Sequence, residues 1–178
     1  MNIKSTLCTI TRTPAYVFTI IALACFTALA AAFIAEGFLG LEPCKLCIYQ
    51  RYPFALGLCL GLIGIALRKN TMASVTLLII CGLGFLGNSI TAFYHTGVEL
   101  HWWVSAVEGC TVTFENDSAS KSLLENIMSA PMGDCSKIPW ADPIFGLSMA
   151  NYNIPFCLGL FLFCMMASVC IKKKHQEA

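Results

Sequence analysis

Cys44-Lys45-Leu46-Cys47, with Arg51 four positions beyond, is the segment whose residue types and spacing are best suited to chemistry. A Cys-x-x-Cys at the start of a helix holds two sulfurs within reach of each other, beside free backbone N–H groups that favour the thiolate form. If the helix already includes Cys47, Arg51 lies one turn further along the same face, about 6 Å up the axis. A thiolate there then has a cationic neighbour. The planar guanidinium could also hydrogen-bond a carbonyl oxygen of a flat, lipophilic electron acceptor and stabilise the charge that acceptor gains. By position alone Arg51 also reads as an interfacial arginine that snorkels to water; its place beside the cysteine pair favours the chemical role.

The elements that must hold this segment are apolar. Hydrophobic residues make up 57% of the 178, charged residues 12%, and the mean hydropathy is +0.73, values that point to a lipid solvent. Four runs, 15–35, 48–67, 72–94 and 152–171, are long enough to cross a hydrocarbon core of about 30 Å, which takes roughly 20 helical residues. The chain is therefore expected to be an all-α membrane protein, one domain over 1–178 built as a four-transmembrane-helix bundle. Arg51, in the first turn of the second run, is the one Asp, Glu, Lys or Arg inside them. A guanidinium costs roughly 2.5–3.5 kcal/mol at the bilayer centre and less near an interface, so its position calls for a reason.

Seven of the eleven basic residues fall in segments on one side: Lys4 and Arg12 before the first run, Arg68 and Lys69 between the second and third, and Lys172, Lys173 and Lys174 after the fourth. The positive-inside rule then places both termini in the cytoplasm and the connections 36–47 and 95–151 outside. Ala28-Leu29-Ala30 resembles a signal-peptide cleavage site, but the apolar run continues to Ala35 and reads as a span. A net charge of +1 supplies no basic field for nucleic acid.

Topology sorts the eleven cysteines. Cys25, Cys59, Cys81, Cys157, Cys164 and Cys170 lie within or at the inner ends of spans and Cys8 is cytoplasmic, so these read as packing residues or reduced thiols. Cys44, Cys47, Cys110 and Cys135 share the outer face. Four cysteines allow three connectivities; the Cys-x-x-Cys spacing suits a redox pair, Cys44 with Cys47, which leaves Cys110 with Cys135. The loop between the latter carries Leu123, Leu124, Ile127 and Met128 at helical spacing, suited to lying on a membrane surface. Gly109, Pro131 and Gly133 surround its cysteines with turn formers. A disulfide there is either a clamp, contributing roughly 3–3.5 kcal/mol in the chain-entropy model, or a relay open to a partner's thiolate. His95 leaves the third run at the depth where the cysteine pair enters the second, placed to donate a hydrogen bond or pass protons; His101, Trp102 and Trp103 read as an interfacial belt.

Cys-Lys-Leu-Cys-Ile-Tyr-Gln-Arg at the second span, Tyr-His-Thr after the third and Gly-Asp-Cys in the long loop resemble, across nearly the whole chain, the bacterial disulfide bond formation protein B (DsbB) family, including its specialised DsbI-like relatives. The resemblance implies an enzyme of the bacterial inner membrane, a dithiol:quinone oxidoreductase. A DsbA-like, thioredoxin-like periplasmic carrier would attack the Cys110–Cys135 disulfide, with Cys110 forming the mixed disulfide and Cys135 released to attack the inner pair. Cys47 would contact ubiquinone or menaquinone beside Arg51, with His95 close by, and no metal or flavin is required. Gln50 departs from the acid that the best-known members carry at that position.

Other readings make distinct demands. An enzyme exporting electrons from the cytoplasm would need a reactive pair on that side, and Cys8 and Cys170 lack one. A vitamin K epoxide reductase-like enzyme would place its Cys-x-x-Cys late in the chain. A structural tetraspan would keep its outer disulfides under mild reductant, and a soft-metal transporter would need paired ligands through its spans.

Overall fold

Pro14 opens the first helix, α1 (Pro14–Leu39), where its fixed φ suits the first turn and its missing N–H would have had no partner. Gly40 ends α1 at φ 62°, a left-handed conformation that glycine adopts without a Cβ clash, and its N–H caps the carbonyl of Ala35. Three further residues reach Cys44, which is extended and caps α2 (Lys45–Ala66), its sulfur accepting the Cys47 N–H. Asn70 caps α3 (Thr71–Glu99) by accepting the Ala73 N–H at 3.1 Å. The last helix, α4 (Met149–Gln176), carries Lys173, Lys174 and His175 in its final turn, where cations complement the helix dipole.

The computed structural model describes residues 11–107, 110 and 134–176. Lys4, Cys8, Gly109, the surface run 121–128, Pro131 and Gly133 lie outside them.

Among the described residues four helices are long and apolar enough to cross a membrane, and together they form a four-helix membrane bundle. α3 packs most extensively on α4, and α1 on α2. Each helix extends past at least one end of its expected span. The apolar run ends where polar residues begin, whereas the helix ends where a cap stops it. The extension matters at two places: Lys45 to Cys47 add a turn at the start of α2, and His95 to Glu99 add one at the end of α3.

Phe18, Ile21 and Cys25 of α1, Phe54 of α2, Leu78, Cys81 and Phe85 of α3, and Cys157, Leu160 and Cys164 of α4 form the core. Phe26, Phe33, Leu62, Ile90 and Val169 point outward, as expected where lipid is the solvent. Lipid gives helices no hydrophobic reason to associate, so close packing must do it, and α2 presents glycines to α1. A Cβ at Gly61 would stand 3.1 Å from Ala22 Cβ and 3.3 Å from the carbonyl oxygen of Phe18, while one at Gly64 would enter the Phe18 ring.

Two short segments position the site from outside the bundle. Trp103 stacks on Tyr94, with ring centroids 5.9 Å apart, donates from Nε1 to the Tyr94 carbonyl and covers Gly97, so the chain doubles back on α3. Trp103, expected as part of an interfacial belt, thus also pins this turn. Ahead of α4, the Asp142 carboxylate accepts the N–H groups of Ile144 and Phe145, and Gly146 turns at φ 67°. That turn, closed by pairing of Ala141 with Ser148, brings Ser148 to Glu99.

Candidate active site

The outer pair is bonded. Cys110 and Cys135 form a disulfide with Cα atoms 4.9 Å apart, and the Cys135 N–H donates to the Cys110 carbonyl at 2.8 Å. Both are fully buried in a cluster with Cys44, Leu46 and Val98, against which Cys47, Tyr94 and Val107 also pack. The fold thus brings the four cysteines singled out in the sequence into one patch. Beside the disulfide, burial raises the Asp134 carboxyl, but the N–H and hydroxyl of Ser136, donating at 2.9 and 2.7 Å, together with Lys137 and His101, bring it below its usual range.

The inner pair is open. Cys44 Sγ and Cys47 Sγ lie 2.9 Å apart in a hydrogen bond, beyond the roughly 2.05 Å of a disulfide. Cys44 is buried, and its thiol is pushed up by the bond to the Cys47 sulfur and by desolvation. Cys47, half-buried one helical turn before Arg51, faces a cavity.

His95 lies inside α3 rather than at its exit, and is 3% exposed. Its Nε2 stands 3.5 Å from Cys44 Sγ and 3.7 Å from Glu99 Oε1, and its Nδ1 faces Gln50 Nε2 at 3.0 Å. Glu99 in turn accepts the Ser148 hydroxyl at 2.5 Å. Behind Gln50 stand further polar side chains: Asn153 Nδ2 donates to Gln50 Oε1 at 2.7 Å, and Cys157 donates to Asn153 Oδ1 at 3.1 Å. Asn88 Nδ2 donates to Cys157 Sγ at 3.3 Å and to the backbone carbonyl of Gln50 at 3.1 Å. Cys157, sorted by sequence as a packing residue, is therefore also a hydrogen-bonding link.

Arg51 is not left to an acceptor alone. Its guanidinium pairs with Glu36 of α1 at 2.9 Å and lies over the Phe33 ring, 5.3 Å from its centroid. A cavity of about 810 Å³ opens between these groups, lined by Cys47, Gln50, Arg51, His95 and Glu99 at its polar side and mainly by apolar residues such as Ala28, Phe54 and Phe156 elsewhere. Its size lies within the range of organic-ligand sites. Cys44, Cys47 and His95 also place one ligand atom each within 4.8 Å of one another, a spacing compatible with a shared soft metal ion.

The four cysteines, Arg51 and His95 stand out in the sequence, whereas Glu36, Asn88, Glu99, Ser148 and Asn153 join the site only in the fold. The signal for two of these was present: Asn88 and Asn153 are amide side chains inside apolar runs, costly unless they find partners.

The profile of the family described as "Disulfide bond formation protein DsbB" matches residues 7–167. Disulfide bond formation protein B of Verminephrobacter eiseniae is 32% identical over 167 residues, 89% of each chain. That of Psychromonas ingrahamii is 33% identical over 140 residues, 76% of this chain and 73% of its own. An uncharacterised protein of Rickettsia prowazekii is 29% identical over 138 residues, 76% of this chain and 77% of its own. No solved structure matches the chain significantly. With nearly its whole length matched, this chain belongs to the DsbB family, multi-pass membrane oxidoreductases that form disulfides.

Proposed function

We propose that the protein reoxidises a DsbA-like, thioredoxin-like carrier and delivers its electrons to a membrane quinone. The carrier dithiol exchanges with the Cys110–Cys135 disulfide, Cys110 taking the mixed disulfide; the released Cys135 reduces the Cys44–Cys47 disulfide. Two electrons and two protons leave the carrier, and bound ubiquinone or menaquinone accepts both as the quinol. Cys47 presents the reacting sulfur, Arg51 and His95 supply hydrogen-bond donors at the polar end of the cavity, and the apolar walls exclude water. The distribution of Lys and Arg supports placing both termini in the cytoplasm and the cysteines at the periplasmic face of a bacterial inner membrane.

The observation that carries this reading is the position of Cys47: one sulfur shared between a buried cysteine cluster and a largely apolar cavity that also holds Arg51. The experiment is quinone reduction by the purified protein in detergent, driven by a reduced thioredoxin-like carrier. Replacing Cys44, Cys47, Cys110 or Cys135 with Ser should stop turnover, whereas Cys25→Ala and Cys164→Ala should sustain it. Quinone left untouched by the wild type, with all four cysteines still paired under mild reductant, would favour a structural tetraspan.

A further inference from the structure

One sense of the buried hydrogen-bond chain behind His95 gives the Cys157 S–H an acceptor, and a backbone group anchors it. The Gln50 carbonyl can only accept, so the atom of Asn88 that faces it is the amide nitrogen, and that nitrogen also donates to Cys157 Sγ. With its sulfur accepting, Cys157 donates its S–H to Asn153 Oδ1. The other end of the Asn153 amide is then the donor, which makes the facing Gln50 atom Oε1. Gln50 must therefore present its N–H to His95 Nδ1, and a ring nitrogen that accepts carries no proton. The proton of neutral His95 is on Nε2, which faces Cys44 Sγ at 3.5 Å with Glu99 Oε1 beside it at 3.7 Å.

The sense continues through the cysteines. Cys44 Sγ faces the His95 Nε2–H and accepts the Cys47 N–H, and the acceptor within reach of its own proton is Cys47 Sγ, 2.9 Å away. The last acceptor in the chain is the sulfur that faces the cavity.

We propose that Asn88, Cys157, Asn153 and Gln50 are positioning residues that lock His95 as its Nε2–H tautomer, so that Cys44 is the proton-holding member of the inner pair and Cys47 the electron-rich one. The inference deepens the proposed function and rests on the inner pair being the redox couple. It assigns the chain a second task beyond satisfying buried amides: it makes two chemically identical thiols unequal before any acceptor arrives.

The test reads the tautomer directly. In protein labelled with ¹⁵N-histidine, in detergent, with the inner pair reduced and His101→Asn and His175→Gln removing the other signals, ¹⁵N–¹H correlations report which ring nitrogen of His95 is protonated. The wild type should show a protonated Nε2 and a bare Nδ1. Asn153→Asp presents a carboxylate that accepts from Gln50, turning that amide so its oxygen faces Nδ1; the tautomer should invert. Gln50→Glu should invert it as well and serves if Asn153→Asp fails to fold. Cys157→Ser, whose hydroxyl both accepts and donates, should keep the wild-type pattern. Turnover should fall about tenfold in the two inverting variants, the scale of one lost hydrogen bond, and hold within twofold in Cys157→Ser. A wild-type His95 protonated at Nδ1, or a tautomer unmoved by both inverting variants, overturns the proposal. Absence of quinone reduction in the wild type would overturn the proposed function and leave the tautomer result standing.

Discussion

Replacing Arg51 with Ala should have two separable consequences, because the guanidinium has two neighbours: Glu36, and the cavity. The ion pair is 2.9 Å long, with 20% of the Arg51 and 25% of the Glu36 side chain exposed. An exposed pair contributes about 0.2–1 kcal/mol, whereas removing one member of a fully buried pair costs about 3–5 kcal/mol, mostly for the charge left behind. With a fifth to a quarter exposure the cost should fall between these limits, about 1.5–3 kcal/mol, the scale of one charge-assisted hydrogen bond. Since most of that cost is the stranded Glu36 carboxylate, Glu36→Gln in the same chain should recover more than half of it, measured as denaturant unfolding followed by circular dichroism. The quinone concentration giving half-maximal rate should behave otherwise. Loss of one donor to the acceptor raises it about tenfold or more, and removing the carboxylate as well, by Glu36→Ala, restores nothing, because a methyl group supplies no donor in place of Arg51. Recovery of quinone dependence in the double-alanine variant would refute the reasoning, since it would make Arg51 a partner of Glu36 alone. Equal stability of the single and double variants would refute the stranded-charge account.

Two further outcomes follow from the packing and from the outer loop. Gly64→Ala drives a methyl into the fully buried Phe18 ring and should destabilise by about 1–3 kcal/mol, whereas Gly84→Ala meets nothing within 4 Å and should stabilise by about 0.5–1 kcal/mol through helix propensity; unfolding of the two variants measures the contrast. Asp134 has a folded carboxyl below its usual value of 3.8, so its contribution is present above that value and is lost as pH falls through the lowered one. Reduction of the Cys110–Cys135 disulfide by a phosphine should therefore accelerate below about pH 4 in the wild type, beyond any change seen in Asp134→Asn. An identical pH dependence in the two proteins would show that Asp134 does not hold the turn.

The class of protein was legible in local pattern. Four apolar runs of sufficient length, with Arg51 their one charged residue, dictate membrane helices because lipid leaves the backbone no partner but itself. Cys-x-x-Cys with Arg51 one turn on is likewise a local arrangement, and the helix start at Lys45 puts those side chains where the spacing says. Even the pairing of Cys110 with Cys135 needed only the sorting of cysteines by topology and the Cys-x-x-Cys spacing of the other two.

What the residues of the site do to one another was decided by tertiary structure. Glu36 reads as a loop residue until α1 extends through it and packs on α2, which sets it against Arg51. His95 reads as the end of a span until α3 runs four residues further and buries it between Cys44 and Gln50. Asn153 lies 103 residues from Gln50 in the chain yet fixes which way the Gln50 amide points. Hydropathy and spacing record what each helix requires of its solvent and its own neighbours; they carry no term for the rotation of one helix against another. That rotation, set by glycines meeting Phe18 and Ala22 across α1 and α2 and by the tight packing of α3 on α4, determines which donor meets which acceptor.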